Sequence, residues 1–211
     1  MKLYYLLESC ALASHIVANE VGVAVQAERI DFATKTVVSS GADFLAINPK
    51  GYVPALQLDD GEVLTESAAV LQYLAGLKPE AGLFPAAGTL ARVRVQEALN
   101  YIATELHQAY SPLFNPATPA EVREDRIAHL RKRYAMLDGQ LHGRAWLFGD
   151  AFGIADAYLF AVTRWAGFVG LDLSDYANLQ AFQAAVAARP AVQAAMRAQG
   201  LAVAAPEQAA A

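Results

Sequence analysis

The segment 51–67 constrains the fold more than any other part of the chain. Residues 55–58 form a short apolar run, and residues 62–64 return as a second strand. Asp59-Asp60-Gly61 between them favours a tight turn, because Asp and Gly tolerate positive φ. After Ser67, apolar residues recur at helical spacing. The segment therefore predicts a β-hairpin followed at once by a helix.

Two features of this segment point to a ligand. Pro54 cannot donate to a strand ladder, so it belongs at a strand start or an edge. If the bond between Val53 and Pro54 is cis, the Val53 backbone faces outward, where an extended peptide can pair with it. Glu66 and Ser67 lie at a helix start, where free N–H groups and the helix dipole favour a carboxylate. The alternative is an ordinary hairpin with a capped helix.

The residues before the hairpin predict a βαβ unit. Residues 2–7 are a continuous apolar run, typical of a buried strand, and a helical pattern follows that Gly22 ends. Residues 25–30 resemble a second strand, which should run parallel to the first. Residues 42–46 predict a short helix. The first part of the chain is therefore expected to be βαβ, helix, ββα.

The pattern changes at residues 78–85, where proline and glycine indicate a linker. Beyond it we find no strand signal. We predict one helix from Leu90 to about Tyr110, a second from a capping box at Thr118-Pro119-Ala120-Glu121 to about Leu141, and others near Ile154, Asn178 and Pro190.

The chain is thus predicted to be an α+β protein with two domains. The first domain, residues 1–78, has a mixed sheet. Residues 79–88 form a linker, and residues 89–201 form an all-helical domain. Residues 202–211 are rich in alanine and are expected to be a loose tail.

The composition excludes several classes of protein. The chain has 211 residues, 55% of them hydrophobic, and a net charge of −5, with no basic patch for nucleic acid. No apolar run reaches the roughly 18 residues of a membrane span. The single Cys10 excludes an internal disulfide and indicates a reducing compartment. We expect a soluble, cytoplasmic protein.

Cys10 is the first candidate for chemistry. It follows the first predicted strand and precedes the first helix, where the helix dipole and free amides lower the pKa of a thiol. The alternative is a buried, small hydrophobic residue. Glu8 lies close in sequence and would oppose a thiolate. Ser9 and Tyr5 are minor candidates for an activating hydroxyl.

His107 is the second candidate. At helical spacing Asn100, Ala103, Thr104 and His107 share one face, which is polar for a helix in an apolar bundle. The alternative is a solvated face. Asp156 lies in an apolar run and needs a partner, and we assign it a structural role at a helix start. No spacing of His, Cys, Asp and Glu supports a metal site.

Together these segments resemble the cytosolic glutathione transferases, and most closely the bacterial beta class. The resemblance covers about residues 1–201. Ile154-Ala155-Asp156-Ala157-Tyr158 matches a helix start of the family. The four motifs that carry the resemblance are Cys10-Ala11-Leu12-Ala13-Ser14-His15, Ala46-Ile47-Asn48-Pro49-Lys50-Gly51 running into Val53-Pro54-Ala55-Leu56, Leu64-Thr65-Glu66-Ser67, and Asn100-Tyr101-Ile102-Ala103-Thr104-Glu105-Leu106-His107.

The resemblance implies a thioredoxin-like first domain, an all-helical second domain and a homodimer with its active site between the domains. It implies glutathione as co-substrate, a small hydrophobic electrophile as partner and no metal. By position, Val53 before a cis Pro54 pairs with the cysteinyl backbone of glutathione. Glu66 and Ser67 hold its γ-glutamyl end, and Lys35 lies near its glycine carboxylate.

The resemblance also implies which residues surround the glutathione sulfur. Cys10 faces the sulfur and, with His107, is the implied catalytic residue. The residues that close the site from the helical domain are Asn100, Thr104, Glu105 and His107.

The chain departs from the family pattern next to Cys10. The beta class usually has Pro-Gly-Ala-Cys-Ser at this loop, and here it is Leu7-Glu8-Ser9-Cys10-Ala11. A flexible pair is lost, an acid is added, and the hydroxyl after the cysteine is missing. The surroundings of Cys10 should therefore favour a thiolate less. Gly153 replaces the usual Ser or Thr cap before Asp156, which affects stability more than chemistry.

Three functions follow as hypotheses. The leading one is an enzyme that binds glutathione and conjugates its thiolate to small hydrophobic electrophiles. The second is monothiol, glutathione-dependent thiol–disulfide exchange through Cys10. The third is a non-catalytic carrier or partner-binding protein on the same fold.

Overall fold

The computed structural model describes residues 1–203. Its first 76 residues contain four strands and three helices, in the predicted order βαβ, helix, ββα. The strands are β1 (Lys2–Tyr5), β2 (Gln26–Arg29), β3 (Ala55–Gln57) and β4 (Val63–Thr65), and the helices are α1 (Ala11–Glu20), α2 (Phe44–Ile47) and α3 (Ser67–Gly76).

The four strands form one mixed sheet in the order β2-β1-β3-β4. β1 and β2 are parallel, as the βαβ pattern predicts, whereas β1 with β3 and β3 with β4 are antiparallel. Tyr4 lies opposite Ala55, and Ala55 lies opposite Thr65. This register brings the end of β1, the start of β3 and the end of β4 to one edge of the sheet. The loops that carry Cys10, Val53 and Glu66 leave from that edge.

The rest of the described chain is helical. The α+β class and the order of the two domains are confirmed, while the exact domain boundaries remain a prediction. The predicted linker contains a short 3₁₀ turn, Pro79–Ala81, and the predicted tail falls outside the described residues from position 204 onward. The helices are α4 (Leu90–Tyr101), α5 (Gln108–Tyr110), α6 (Ala120–Leu141), α7 (Ile154–Thr163), α8 (Ala177–Ala187) and α9 (Pro190–Ala198).

Two predictions about these helices are wrong. The expected single helix from Leu90 to Tyr110 contains a π-helical segment, Ile102–His107, between α4 and α5. A π-helical segment shifts the side chains that follow it, so the face predicted at a 3.6-residue period does not hold across it. The expected capping box also fails, because Thr118 donates its hydroxyl proton to the Pro112 carbonyl at 2.6 Å instead of capping α6.

Asp156 has the structural role predicted for it. It is 1% exposed, and its two carboxylate oxygens accept from the Leu147 and Gly153 N–H groups, each at 2.8 Å. Gly153 has no side chain that could accept a hydrogen bond from the Asp156 N–H in return. A Cβ at Gly153 would approach the Leu83 carbonyl to 3.1 Å, which gives a steric reason for glycine in place of a Ser or Thr cap.

Within residues 1–203, no helix is long and apolar enough to cross a membrane. In the same residues, no group of three or more His, Cys, Asp or Glu side chains is placed to hold a metal ion.

Candidate functional site

A cleft of about 820 Å³ opens at the sheet edge from which the loops carry Cys10, Val53 and Glu66. Residues of both domains border it. From the first domain come the loop before α1, the loop before β3 and the start of α3, and from the second come the π-helical segment, α7 and the turn that follows it. The predicted site residues that border the cleft are Cys10, Val53, Pro54, Glu66, Ser67 and His107.

The Val53 backbone is available to a ligand. The peptide bond between Val53 and Pro54 is cis. Among the described residues, neither the N–H nor the C=O of Val53 pairs with another backbone group. The only hydrogen bond that this C=O accepts from the same residues comes from the Cys10 thiol, at 3.4 Å.

Cys10 is a protonated thiol. It is 3% exposed, and burial raises its pKa to about 11, although hydrogen bonds from Ser67 and the backbone N–H groups at the start of α1 oppose the rise. The prediction that the helix start lowers this pKa is therefore wrong, because desolvation outweighs the dipole. Burial and the charge of Glu66 cause the rise, and Glu8 does not, so the expectation that the changed loop favours a thiolate less stays a prediction.

Glu66 and Ser67 begin α3 at the wall of the cleft. Glu66 has φ of 68°, which a residue with a side chain rarely adopts and which occurs preferentially at functional sites. Its carboxylate is exposed and lies 2.7 Å from Lys50 Nζ. Ser67 is buried, with its N–H at the N-terminus of the helix. A zwitterionic group can thus meet a carboxylate and a helix N-terminus side by side.

His107 is neutral at pH 7. Burial lowers its pKa to about 4, and the charge of Glu66 only partly opposes this. Its Nδ1 lies 2.7 Å from the Tyr158 hydroxyl, and its ring packs edge-on against Trp165 at 4.8 Å between centroids. His107 is therefore a hydrogen-bonding group at the cleft and not a cation.

Glu8, the acid added next to Cys10, is neutralised from the helical domain. Nη2 of Arg164 lies 3.0 and 2.9 Å from its two carboxylate oxygens. The Glu8 backbone has φ of 57°, and Trp165 Nε1 donates to its carbonyl at 2.7 Å. Arg164 thus forms an ion pair with Glu8, and together with Trp165 it fixes the loop before Cys10.

Four predicted site residues do not border the cleft. Lys35 lies nearby, with Nζ 3.3 Å from the Gly51 carbonyl. Asn100 and Thr104 are exposed elsewhere. Glu105 pairs with Arg133 of α6 at 2.7 Å. Contact of these residues with glutathione stays a prediction.

Of the two minor candidates for an activating hydroxyl, only Ser9 borders the cleft. Tyr5 is buried in β1 and does not border the cleft. Ser9 borders the cleft, and its hydroxyl is buried without a partner among the described residues.

The outer part of the cleft is apolar. Large, hydrophobic, exposed side chains form its rim, and the buried Trp165 borders the same cleft. Such a rim can hold a flat, apolar molecule next to the Cys10 loop. The exposed rim residues are Leu7, Phe32, Tyr52, Phe114 and Phe168.

Sequence reasoning missed several cleft residues. Tyr158 belongs to the motif at residues 154–158, but a tyrosine between apolar residues gives no sign that its hydroxyl meets a histidine. Lys50 was also missed, although its place in the Asn48-Pro49-Lys50-Gly51 loop could have drawn attention to Glu66. The aromatic rim is assembled from distant segments and leaves no local signal.

Comparisons with known proteins agree with this geometry. The family described as "Glutathione S-transferase, N-terminal domain" matches residues 9–77, and "Glutathione S-transferase, C-terminal domain" matches residues 101–190. Glutathione S-transferase GstA of Escherichia coli O157:H7 is 44% identical over 201 residues, which cover 95% of this chain and all of that protein.

Solved structures are similar over the same length. A sphingomonad glutathione S-transferase complexed with glutathione has a TM-score of 0.91 at 42% identity, and a beta-class enzyme of Sphingomonas chungbukensis has 0.92 at 42%. In both cases the match covers 96% of this chain and all of the other.

Proposed function

The chain belongs to the glutathione S-transferase family, in its bacterial beta class, and we propose that it conjugates the thiolate of glutathione to small hydrophobic electrophiles in this cleft. The observation that carries the proposal is the arrangement at the sheet edge. One cleft is bordered by the Val53 backbone, which pairs with no other backbone group of residues 1–203, by the start of α3 and by an apolar rim. The first two suit a peptide with a free amino-acid end, and the rim suits an apolar second substrate.

We propose the following placement of glutathione. The Val53 N–H and C=O pair with its cysteinyl residue, as an added strand would. Glu66 receives the α-amino group of its γ-glutamyl end, and Ser67 at the start of α3 receives the α-carboxylate. Lys35 supplies positive charge near the glycine carboxylate. The glutathione sulfur then faces Cys10.

The state of Cys10 favours conjugation over exchange through its own sulfur. With a pKa of about 11, only about one Cys10 thiol in ten thousand is ionised at pH 7. A thiolate is the species that attacks a disulfide. As a neutral S–H group, however, Cys10 can turn from the Val53 carbonyl and donate to the glutathione thiolate.

The proposal includes a homodimer in the cytoplasm. The resemblance to the beta class supports the dimer, and a single cysteine without a disulfide partner supports a reducing compartment. Sedimentation of the purified chain tests the first of these directly.

Calorimetry with glutathione, followed by an ultraviolet titration of its bound thiolate, tests the function. Binding together with a thiol pKa below that of free glutathione is the expected result. Binding without any lowering of the pKa would support the carrier hypothesis instead. Absence of binding would contradict both.

Replacing Ser67 by alanine is expected to weaken glutathione binding about tenfold, because one hydrogen bond to a charged group is lost. Calorimetry measures the effect. Ser174→Ala, which removes a hydroxyl far from the cleft, is the matched control. Equal affinities of the two variants would remove Ser67 from the site.

Replacing Cys10 by alanine is expected to lower conjugation by less than about fivefold, since a neutral S–H donor contributes one weak hydrogen bond. The same variant should no longer be glutathionylated by oxidised glutathione, which mass spectrometry of the chain measures. A loss of conjugation of a hundredfold or more would show instead that the Cys10 sulfur takes part covalently.

A further inference from the structure

Two side chains from separate helical segments meet at the inner wall of the cleft. They are Tyr158 in α7 and His107 at the end of the π-helical segment. Tyr158 is 2% exposed, yet its ring borders the cleft and its hydroxyl lies 2.7 Å from His107 Nδ1. The two rings cross at 76° with their centroids 6.0 Å apart.

The proton in this short contact can be assigned by chemistry. A phenol is a stronger acid than a neutral imidazole N–H, and an imidazole nitrogen is a stronger base than a phenol oxygen. Burial raises the pKa of Tyr158 and lowers that of His107 to about 4, so both groups are neutral at pH 7. Tyr158 therefore donates and Nδ1 accepts.

This direction fixes the tautomer of the histidine. If Nδ1 accepts, the ring proton of a neutral imidazole is on Nε2. Nε2 makes no hydrogen bond to any described residue, and His107 borders the cleft. The edge-on contact with Trp165 also restricts rotation of the ring.

We propose that Tyr158 is a positioning residue that holds His107 in the Nε2–H tautomer, so that this N–H is an uncharged hydrogen-bond donor to the glutathione thiolate. The proposal rests on the proposed function and adds a specific role to it. His107 is then not a base that removes the thiol proton, because Nδ1 is occupied by Tyr158 and Nε2 already carries a proton.

Nitrogen NMR of the ring-labelled free protein tests the tautomer without glutathione. The wild-type chain should show the Nε2–H form of His107, and Tyr158→Phe should show a mixture of both tautomers. Tyr134→Phe is the matched control, because it removes another buried hydroxyl, 2.9 Å from Tyr110, and should leave the His107 signals unchanged. An Nδ1–H form in the wild-type chain would overturn the proposal.

Kinetics test whether Tyr158 acts through His107. Tyr158→Phe should lower kcat/KM for conjugation about five- to tenfold, with the loss in kcat. It should raise the thiol pKa of bound glutathione and leave the affinity for glutathione unchanged. In a His107→Gln chain the same change should cost less than about twofold. Equal losses in both backgrounds would overturn the proposal.

A wild-type chain that has the Nε2–H tautomer but does not lower the thiol pKa of bound glutathione would contradict the proposed function while leaving the tautomer assignment intact.

Discussion

Replacing Arg164 by methionine is expected to lower the free energy of unfolding by roughly 1–3 kcal/mol and to raise the pKa of bound glutathione thiol by about one unit. Arg164 and Glu8 are 23% and 29% exposed, so the stability cost lies below that of a fully buried pair. Without Arg164, the Glu8 carboxylate at the cleft wall has lost its cation. An unpaired negative charge there opposes formation of a thiolate.

A second substitution separates the charge from the packing. Glu8→Gln in the Arg164→Met chain removes the unpaired charge and should return the thiol pKa to within about 0.3 units of wild type. Urea unfolding and the ultraviolet titration of bound glutathione measure the two quantities. If the single and the double variants have the same thiol pKa, the Glu8 charge does not reach the sulfur.

The matched control is the ion pair between Arg189 and Glu20. It also joins the two domains, with Arg189 Nε 2.6 Å from Glu20 Oε1 and similar exposure, but it lies away from the cleft. Arg189→Met should cost stability and leave the thiol pKa unchanged. A shift of the thiol pKa in this variant would show that loosening the domain contact, and not the Glu8 charge, is responsible.

Local patterns in the sequence predict the first domain well. Alternating short apolar runs and Asp59-Asp60-Gly61 were enough to predict β3 and β4, because a turn of this kind permits little else. The parallel pairing of β1 with β2 follows from the helix between them. In this part of the chain, the interactions that decide the structure lie close together in sequence.

The site itself depends on contacts that no local pattern records. Glu8 and Arg164 are 156 positions apart, and His107 and Tyr158 are 51 apart. The pKa of Cys10 was predicted in the wrong direction because a position at a helix start is visible in the sequence, whereas the depth of burial is not. The π-helical segment was not predicted for a related reason, since a 3.6-residue pattern cannot show where a helix widens.

Replacing Asp156 by alanine is expected to lower the free energy of unfolding by roughly 2–5 kcal/mol at pH 5, because the buried N–H groups of Leu147 and Gly153 each lose their acceptor. The cost should be smaller at higher pH. Burial raises the pKa of Asp156 from 3.8 to about 6, so the carboxyl group stabilises the folded chain below pH 4 and this contribution is lost as the pH rises through 6. Between pH 5 and pH 7 the cost of the substitution should therefore fall by about 1.4 kcal/mol.

Urea unfolding at fixed protein concentration, repeated between pH 5 and pH 7.5, measures this slope. Asp138→Ala is the matched control, since that carboxylate also accepts two N–H hydrogen bonds, from Asn178 and Leu179, at a half-buried position. The difference between the two slopes isolates the effect of burial. If the cost of Asp156→Ala rises with pH, the two backbone hydrogen bonds outweigh desolvation, and Asp156 is a carboxylate that the fold stabilises in its charged form.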